Sequence, residues 1–183
     1  MLEINFGDFP VLKTERLVLR QMNDADSEAL FRLRSNPEIM RHFDSPLMQS
    51  SEEARLFIER INAMFNANEG IQWTISLLSD SKTIGTITIW KIDKQHHRGE
   101  VGYLLDTAYQ RQGLMREALA AVLEYGFDTL QIHSMEANVN VDNSASMNLL
   151  KRCGFVQEAY FRENFYFNGK FLDTAVYCRL SGD

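Results

Sequence analysis

The segment Tyr109 to Leu119, with the sequence YQRQGLMREAL, has one glycine between two arginines and an apolar helical pattern behind it. The first backbone amides of a helix have no intrahelical acceptor and point together out of its N-terminal end. Gly113 would let an anion approach this backbone closely, and Arg111 and Arg116 add positive charge. We therefore predict that the amides of residues 111 to 116 bind phosphate; the alternative is a plain basic turn with solvated amides. A pyrophosphate suits the turn better than a nucleoside triphosphate, because the Lys-Ser/Thr pair of a P-loop is missing.

The sequence on both sides of this turn predicts the elements that hold it. The preceding segment GEVGYLLD has the composition of a strand that ends at Asp106. The following segment predicts an amphipathic helix with Met115, Ala118, Leu119, Val122 and Gly126 on one side. The next segment, IHSMEANV, predicts another strand, so the turn lies in a strand-helix-strand crossover.

The N-terminal part predicts one strand and two helices. The segment TERLVLRQM alternates as a strand does. Asn23 or Asp24 is expected to cap a first helix that Pro37 stops. Ser50 and Glu53 have the spacing of a capping box and predict the start of a second helix, which runs to about residue 70.

The remaining segments complete an α+β domain. GIQWTISLLS, KTIGTITIWKI and GEVGYLLD predict three successive antiparallel strands. A shorter helix is expected from about Asn143 to Gly154, and the Asn168-Gly169 pair predicts a hairpin between two final strands. No repeat or linker divides the chain, so we expect a single domain over residues 1–183.

Composition limits the function classes. The chain has 183 residues, 45% of them hydrophobic, without an apolar run of the roughly 20 residues that a membrane span needs. The start MLEINFGDFP lacks the features of a signal peptide, so we expect a cytoplasmic protein without a membrane partner. We expect a monomer or homodimer. A formal charge of -6 argues against nucleic-acid binding. Cys153 and Cys178 predict reduced, buried thiols, and no metal site is expected.

Several motifs together resemble a known family. QRQGLM resembles the Q/R-x-x-G-x-G/A acetyl-CoA pyrophosphate loop of the GNAT superfamily of N-acetyltransferases. LKTERLVLR, EVGYLLD and NVDNSASMNLLKRCGF are similar to the branch of ribosomal-protein N-terminal (alanine/serine) acetyltransferases, and the resemblance runs from Leu12 to about Leu180. It implies a GNAT fold: a mixed, mostly antiparallel sheet with splayed central strands and flanking helices. It also implies acetyl-CoA as co-substrate and no metal.

The resemblance implies where the cofactor lies. Acetyl-CoA is expected between the strand at residues 100–105 and the strand at residues 132–138. Met115 departs from the glycine or alanine of the family, and we expect its side chain to face the core. Asn143 and Ser146 match the family's N-x-x-S, although Asn143 would also cap a helix and Ser146 would also suit a helix surface. The predicted cofactor-binding residues are Leu104, Leu105, Gln110, Arg111, Gln112, Gly113, Leu114, Met115, Arg116, Asn143 and Ser146.

Two carboxylates are candidates for the general base. Acyl transfer to an amine needs a neutral nitrogen, so a base must accept the ammonium proton. Glu100 matches the strand position at which many family members have a glutamate; the alternative is a rim glutamate that pairs with Arg98 or is solvated. Glu158 matches a glutamate that the ribosomal-protein branch uses near the acceptor, and it is the second candidate.

The general acid has no clear candidate in the sequence. Many relatives have a tyrosine four residues before the glycine that ends the last helix, and this chain has Leu150 there. Tyr103, Tyr160, Tyr166 or a water molecule would have to replace it.

The sequence thus predicts an N-acetyltransferase that acts on a primary amine, with a ribosomal or other protein N-terminal α-amine preferred. An α-amine has a pKa of about 7.7 to 8.0 and a lysine about 10.4, so a weak base suffices for the former. The alternatives are a small-molecule amine acetyltransferase, for a polyamine, amino acid or antibiotic, and a CoA-binding module without catalysis.

Overall fold

A computed structural model describes residues 1–183 as one mixed sheet with helices on both faces. The eight strands lie in the order β1-β2-β3-β4-β5-β6-β8-β7, and only the β5–β6 contact is parallel. This arrangement is the predicted α+β class with a mixed, mostly antiparallel sheet. The strands are β1 Leu12–Lys13, β2 Leu17–Gln21, β3 Ile71–Leu77, β4 Asp80–Asp93, β5 Arg98–Leu105, β6 Ser134–Asn140, β7 Val156–Phe167 and β8 Lys170–Leu180.

Five α-helices flank the sheet, and none of them is long and apolar enough to cross a membrane. Helix α4 continues into a wider π-helical turn, Tyr125–Thr129, which ends at the loop before β6. The helices are α1 Ser27–Arg34, α2 Pro37–Met40, α3 Ser51–Asn66, α4 Leu114–Glu124 and α5 Ser144–Arg152.

The first helices begin and end slightly differently from the prediction. Asn23 caps a 3₁₀ turn, Asp24–Asp26, and that turn leads into α1. Pro37 does not stop α1, which already ends at Arg34; it is the first residue of α2, where a missing N–H costs nothing. At α3, Ser50 Oγ accepts from the amide of Glu53, whose carboxylate accepts from the amide of Gln49 instead of completing the capping box.

The core lies between the central strands and the buried side of α4. Strand β3 is buried on both faces, and Trp73 within it donates its indole N–H to the carbonyl of Pro10 at 2.8 Å. Met115, Ala118, Leu119 and Val122 of α4 are all buried against the sheet, as predicted. The Met115 side chain faces this core, so the departure from the family pattern is accommodated by packing.

The single parallel contact opens into a gap. Strands β5 and β6 pair at only three positions, and the last of these joins Glu100 to Glu136. Beyond that pair, β5 runs on to Leu105 and β6 to Asn140 without hydrogen bonding to one another. The expected splaying of the two central strands is therefore present, and it leaves two strand edges free in the middle of the sheet.

Candidate active site between two diverging strands

Backbone groups of β5 line one side of the gap. The carbonyl of His97 accepts from the amides of His133 and Ser134, and the amide of Asp106 donates to the carbonyl of Ile84 on the opposite side. Successive residues of a strand direct their backbone N–H and C=O groups to opposite neighbouring strands. The backbone groups of Tyr103 and Leu105 therefore face the gap. Leu104 faces β4, where its carbonyl lies close against Gly85. Of the two leucines predicted to contact the cofactor, only Leu105 thus offers a free amide.

The turn between β5 and α4 presents six consecutive amides. None of the amides of residues 111 to 116 donates a hydrogen bond to a backbone or side-chain acceptor of the protein. Arg111 and Gly113 have φ angles of 60° and 78°, which curl the backbone around one point. Successive amides in this kind of concave turn form an anion-binding nest, and they join here to the N-terminus of α4.

The side chains in this turn have separate roles. Gln110 Nε2 donates to the carbonyl of Leu105 at 3.0 Å, and Gln112 Nε2 donates to that of Ala108 at 3.0 Å. These two side chains hold the loop. The amide of Gln110 also donates to the carbonyl of Thr107, so of these two residues only Gln112 offers a free amide to a ligand. Leu114 and Met115 direct their side chains into the core, so they too contribute amides alone.

Two arginines supply the charge. Arg111 and Arg116 are exposed, and no carboxylate lies within 4.0 Å of either. Six amides and two unneutralised guanidinium groups form an electropositive surface that matches a diphosphate in charge and in number of donors.

Helix α5 reaches the edge of the gap. Asn143 Oδ1 accepts from the amide of Ser146 at 3.0 Å, so Asn143 caps the helix, as the alternative interpretation of this residue predicted. Ser146 is not a free surface residue, because its hydroxyl is 2.7 Å from that of Tyr103 on β5. This hydrogen bond ties α5 to the edge of the gap.

Tyr103 lies on β5 where this strand borders the gap. Burial raises the pKa of its phenol, despite the opposing hydrogen bond to Ser146, so the hydroxyl is neutral and able to donate. Tyr160 is instead on the exposed β7–β8 hairpin, where it donates to Asp173, and Tyr166 packs there against Phe171. Leu150 is fully buried in the core, so its position supplies no proton donor.

Glu100 is at the point where the strands diverge, with its side chain only 13% exposed. Its carboxylate accepts from Lys91 Nζ at 2.8 Å and from Asn138 Nδ2 at 3.1 Å. The expected alternative pairing with Arg98 is wrong, because Arg98 binds Glu136 at 2.8 Å. Lys91 reaches Glu100 because a bulge in β4 gives it a φ of 48° and turns it out of the regular strand path.

A row of polar side chains extends from Glu100 across the same face of the sheet. Cross-strand pairing places Glu136 beside Glu100 and Cys178 beside Glu136. Burial, together with the neighbouring carboxylates of Glu158 and Glu136, raises the pKa of Cys178 to about 12. The two predicted carboxylates, Glu100 and Glu158, therefore lie on one face with Glu136 between them.

Sequence reasoning missed three members of this row. Glu136 and Asn138 are two residues apart in β6, so they share a face, and Asn138 Nδ2 donates to Glu136 Oε1 at 2.7 Å. The sequence shows the spacing of Glu136 and Asn138, but it does not show on which face of the sheet the two side chains lie. Lys91 gave no local signal, since its direction depends on the bulge.

Known proteins share both the sequence pattern and the fold of this chain. The model of the acetyltransferase (GNAT) domain family matches residues 16–156. An uncharacterized N-acetyltransferase, YoaA of Bacillus subtilis (strain 168), is 38% identical over 169 residues, which cover 92% of this chain and 96% of that protein.

Two more distant relatives have names that state their substrates. The spermidine N(1)-acetyltransferase of Vibrio cholerae serotype O1 (strain ATCC 39315 / El Tor Inaba N16961) is 27% identical and covers 87% of this chain and 90% of its own. The [ribosomal protein uS5]-alanine N-acetyltransferase of Escherichia coli (strain K12) is 28% identical, with 90% of this chain and 88% of its own covered. Among solved structures, a ribosomal L7/L12 α-N-protein acetyltransferase in complex with coenzyme A superposes with a TM-score of 0.87 at 23% identity, covering 95% of this chain and 100% of its own.

Proposed function

The chain belongs to the GNAT acetyltransferase family, and we propose that it acetylates the α-amine of a protein N-terminus, ribosomal or other. It is an acetyl-CoA-dependent N-acetyltransferase, as the family match and the relatives at full chain length establish. The charges and hydrogen bonds of the gap and the turn support this choice of amine and a division of the site between cofactor and acceptor.

The cofactor fits the gap and the turn together. The amides of residues 111 to 116, with Arg111 and Arg116, would hold the diphosphate. The amide of Leu105, which faces the gap, would donate to the thioester oxygen and stabilise the negative charge that develops on it. When bound, acetyl-CoA supplies an activated acyl group with a thiolate leaving group. Ser146, which is hydrogen-bonded to Tyr103 at the edge of the gap, would contact the pantetheine arm.

The acid-base groups lie on opposite faces of the gap. Glu100, on the face with Glu136, would accept the proton of the incoming ammonium, directly or through a water molecule. Tyr103, on the face with α5, would donate a hydrogen bond to the departing sulfur. The acceptor and the cofactor would thus approach from opposite faces of the sheet, with the reacting atoms meeting between β5 and β6.

The net charge of the sheet face that bears Glu100, Glu136 and Glu158 is the observation that favours a protein N-terminus as the substrate. Glu100 is already paired with Lys91, and Glu136 is paired with Arg98. Glu158 has no cationic side chain within 4.0 Å, so the row carries one uncompensated negative charge. One such charge complements an acceptor with a single ammonium, such as a peptide N-terminus. A polyamine with three or more ammonium groups would place like charges against Lys91 and Arg98.

A small-molecule amine is the second candidate function, and one observation favours it. Glu100 and Glu136 lie side by side on β5 and β6, and Glu158 lies on β7, beyond Cys178 of β8, so the carboxylates form a row that suits an extended cation. The spermidine acetyltransferase among the relatives supports keeping this alternative in the same experiment.

The experiment compares acceptors at equal acetyl-CoA concentration. We expect short peptides with a free N-terminus and a small first residue to be acetylated faster than N-blocked, lysine-containing peptides of the same composition. At pH 7.5 an α-amine is about one third neutral and a lysine about 0.1%, which gives the direction of the preference. Mass spectrometry identifies the modified amine, and release of free thiol gives the rate. Equal rates on free and blocked peptides would overturn the N-terminal assignment, and turnover confined to spermidine and other small amines would transfer it to the second candidate.

A further inference from the structure

A side chain far away in the sequence covers the diphosphate-binding turn. Arg16 lies in the turn between β1 and β2, and Glu117 lies in the first turn of α4. Arg16 Nε and Nη2 both lie 2.7 Å from Glu117 Oε2, and its own amide donates to Oε1 at 2.8 Å. The hydroxyl of Thr14 donates to the same Oε1 at 2.5 Å. Glu117 is therefore held by four donors from one short turn.

The third nitrogen of Arg16 acts on the loop itself. Its Nη1 donates to the carbonyl of Gln112 at 3.0 Å. In a trans peptide the carbonyl and the following N–H point in opposite directions, so fixing the Gln112 carbonyl also fixes the amide of Gly113. Arg16 Nη2 lies 3.5 Å from the position that a Cβ on Gly113 would occupy. Arg16 thus covers one side of Gly113, and the amide of Gly113 points away from it.

Glu117 presents a charge problem that Arg16 solves. A carboxylate in the first turn stabilises the helix but repels an anion bound at the same N-terminus. Burial acts to raise the pKa of Glu117, but hydrogen bonds from Thr14 and Arg16 outweigh it and hold this pKa below its ordinary value. The carboxylate is therefore ionised at neutral pH, and Arg16 is the cation that compensates it.

We propose that Arg16 is a positioning residue for the diphosphate of coenzyme A: it orients the Gln112–Gly113 peptide and neutralises Glu117 beside the bound anion. This inference rests on the placement of the diphosphate at residues 111 to 116 that is proposed above. It assigns a role in cofactor binding to a residue outside the loop and 101 positions from Glu117.

The test compares CoA with a ligand that lacks the diphosphate together with the rest of the nucleotide. Titration calorimetry gives the Kd of CoA and of pantetheine, which lacks every phosphate, for the wild type and for Arg16→Ala. We expect the Kd of CoA to rise about tenfold to hundredfold, the range for loss of charge-assisted hydrogen bonds, and the Kd of pantetheine to change less than about twofold. Arg16→Lys, which keeps the charge but not the planar donor set, should give an intermediate loss and guards against a folding defect.

A double variant shows how much of the lost CoA affinity comes from the uncompensated charge of Glu117 and how much from the loss of the Arg16 hydrogen bonds. Adding Glu117→Gln to Arg16→Ala removes the uncompensated carboxylate, so we expect CoA affinity to recover by about threefold or more. Arg55→Ala, at an exposed ion pair on α3, is the matched control and should leave both Kd values unchanged.

Three outcomes would overturn the inference: unchanged CoA affinity in Arg16→Ala, an equal loss for pantetheine, or no recovery in the double variant. These measurements need no acceptor. A chain that shows the expected pattern but acetylates no peptide N-terminus overturns the acceptor assignment and leaves this inference standing.

Discussion

The hydroxyl of Tyr103 on β5 lies 2.7 Å from the hydroxyl of Ser146 on α5. Ser146 and Leu150 are four residues apart in the same helix, so they occupy one helix face. The family resemblance implies a tyrosine at the position of Leu150. In this protein Tyr103 of β5 places its hydroxyl against the same face of α5, at Ser146, which is one helical turn before Leu150. We therefore propose Tyr103, distant in sequence and close in space, as the proton donor in place of a side chain at position 150.

Replacing Tyr103 with phenylalanine removes only this hydroxyl. We expect kcat to fall about tenfold to hundredfold, the value of one hydrogen bond to a charged group, while the KM for acetyl-CoA changes little. Steady-state kinetics with a thiol readout measures both parameters. Tyr166→Phe, on the exposed hairpin, is the control and should behave as the wild type. A Tyr103→Phe enzyme with unchanged kcat would leave protonation to water.

Glu100→Gln keeps the shape of the side chain and its contact with Lys91 but cannot accept a proton. Turnover should fall on the order of 10² to 10⁴-fold, with CoA affinity nearly intact. Turnover and calorimetric Kd measured on the same preparation check both halves of this expectation. The exposed Glu52→Gln on α3 is the control. A larger fall in Glu158→Gln would move the base to that residue, and a fall of a few-fold or less in both would argue against a carboxylate base.

Gly113→Val tests the diphosphate-binding turn, and Gly169 provides a matched control. Both glycines have nearly equal φ angles, 78° and 79°, so valine should cost each about 1–2 kcal/mol of folding free energy. Gly169 is in the hairpin turn, where nothing lies within 4 Å of the added Cβ. At 100 times its Kd, CoA should add about 2.7 kcal/mol to the stability of the wild type and of Gly169→Val. Thermal unfolding with and without CoA should show that Gly113→Val has lost this protection; equal protection in both variants would place the diphosphate elsewhere.

Asp26 is predicted to govern part of the acid stability. Burial alone would raise its pKa, but hydrogen bonds from Arg20, Thr83 and the amide of Asn23 outweigh it and hold the pKa below the ordinary value. The stabilisation is complete above about pH 3.9, the unfolded value, and is lost as the pH falls further through the folded value.

Asp26→Asn should lower the unfolding free energy at pH 7 by about 3 kcal/mol, because it leaves the partly buried Arg20 without its partner. Urea unfolding from pH 7 to pH 3 should show that this difference narrows only at the acid end. A difference that stays constant over the whole range would show that the ionisation of Asp26 does not contribute.

The sequence alone predicted most of the elements and the turn before α4, although it did not predict β1 or α2. The alternation of β2 to β5, the apolar face of α4 and the Asn168-Gly169 hairpin are local patterns, and each element has the predicted type. The glycine at position 113 signals its φ of 78° in the same local way, since other residues are strained there. The family motifs added the cofactor, and the sheet has the divergence that they implied.

The tertiary structure decided which groups face one another. Strand register directs the amide of Leu105, and not that of Leu104, into the gap, and no local pattern states that register. The bulge at Lys91 selects the partner of Glu100, and the fold brings Tyr103 to Ser146 and Arg16 to Glu117. Local sequence patterns predict backbone conformation, because steric contacts between adjacent residues restrict φ and ψ to a few regions. Contacts between distant residues depend on how whole strands and helices pack, so they appear only once the chain is folded.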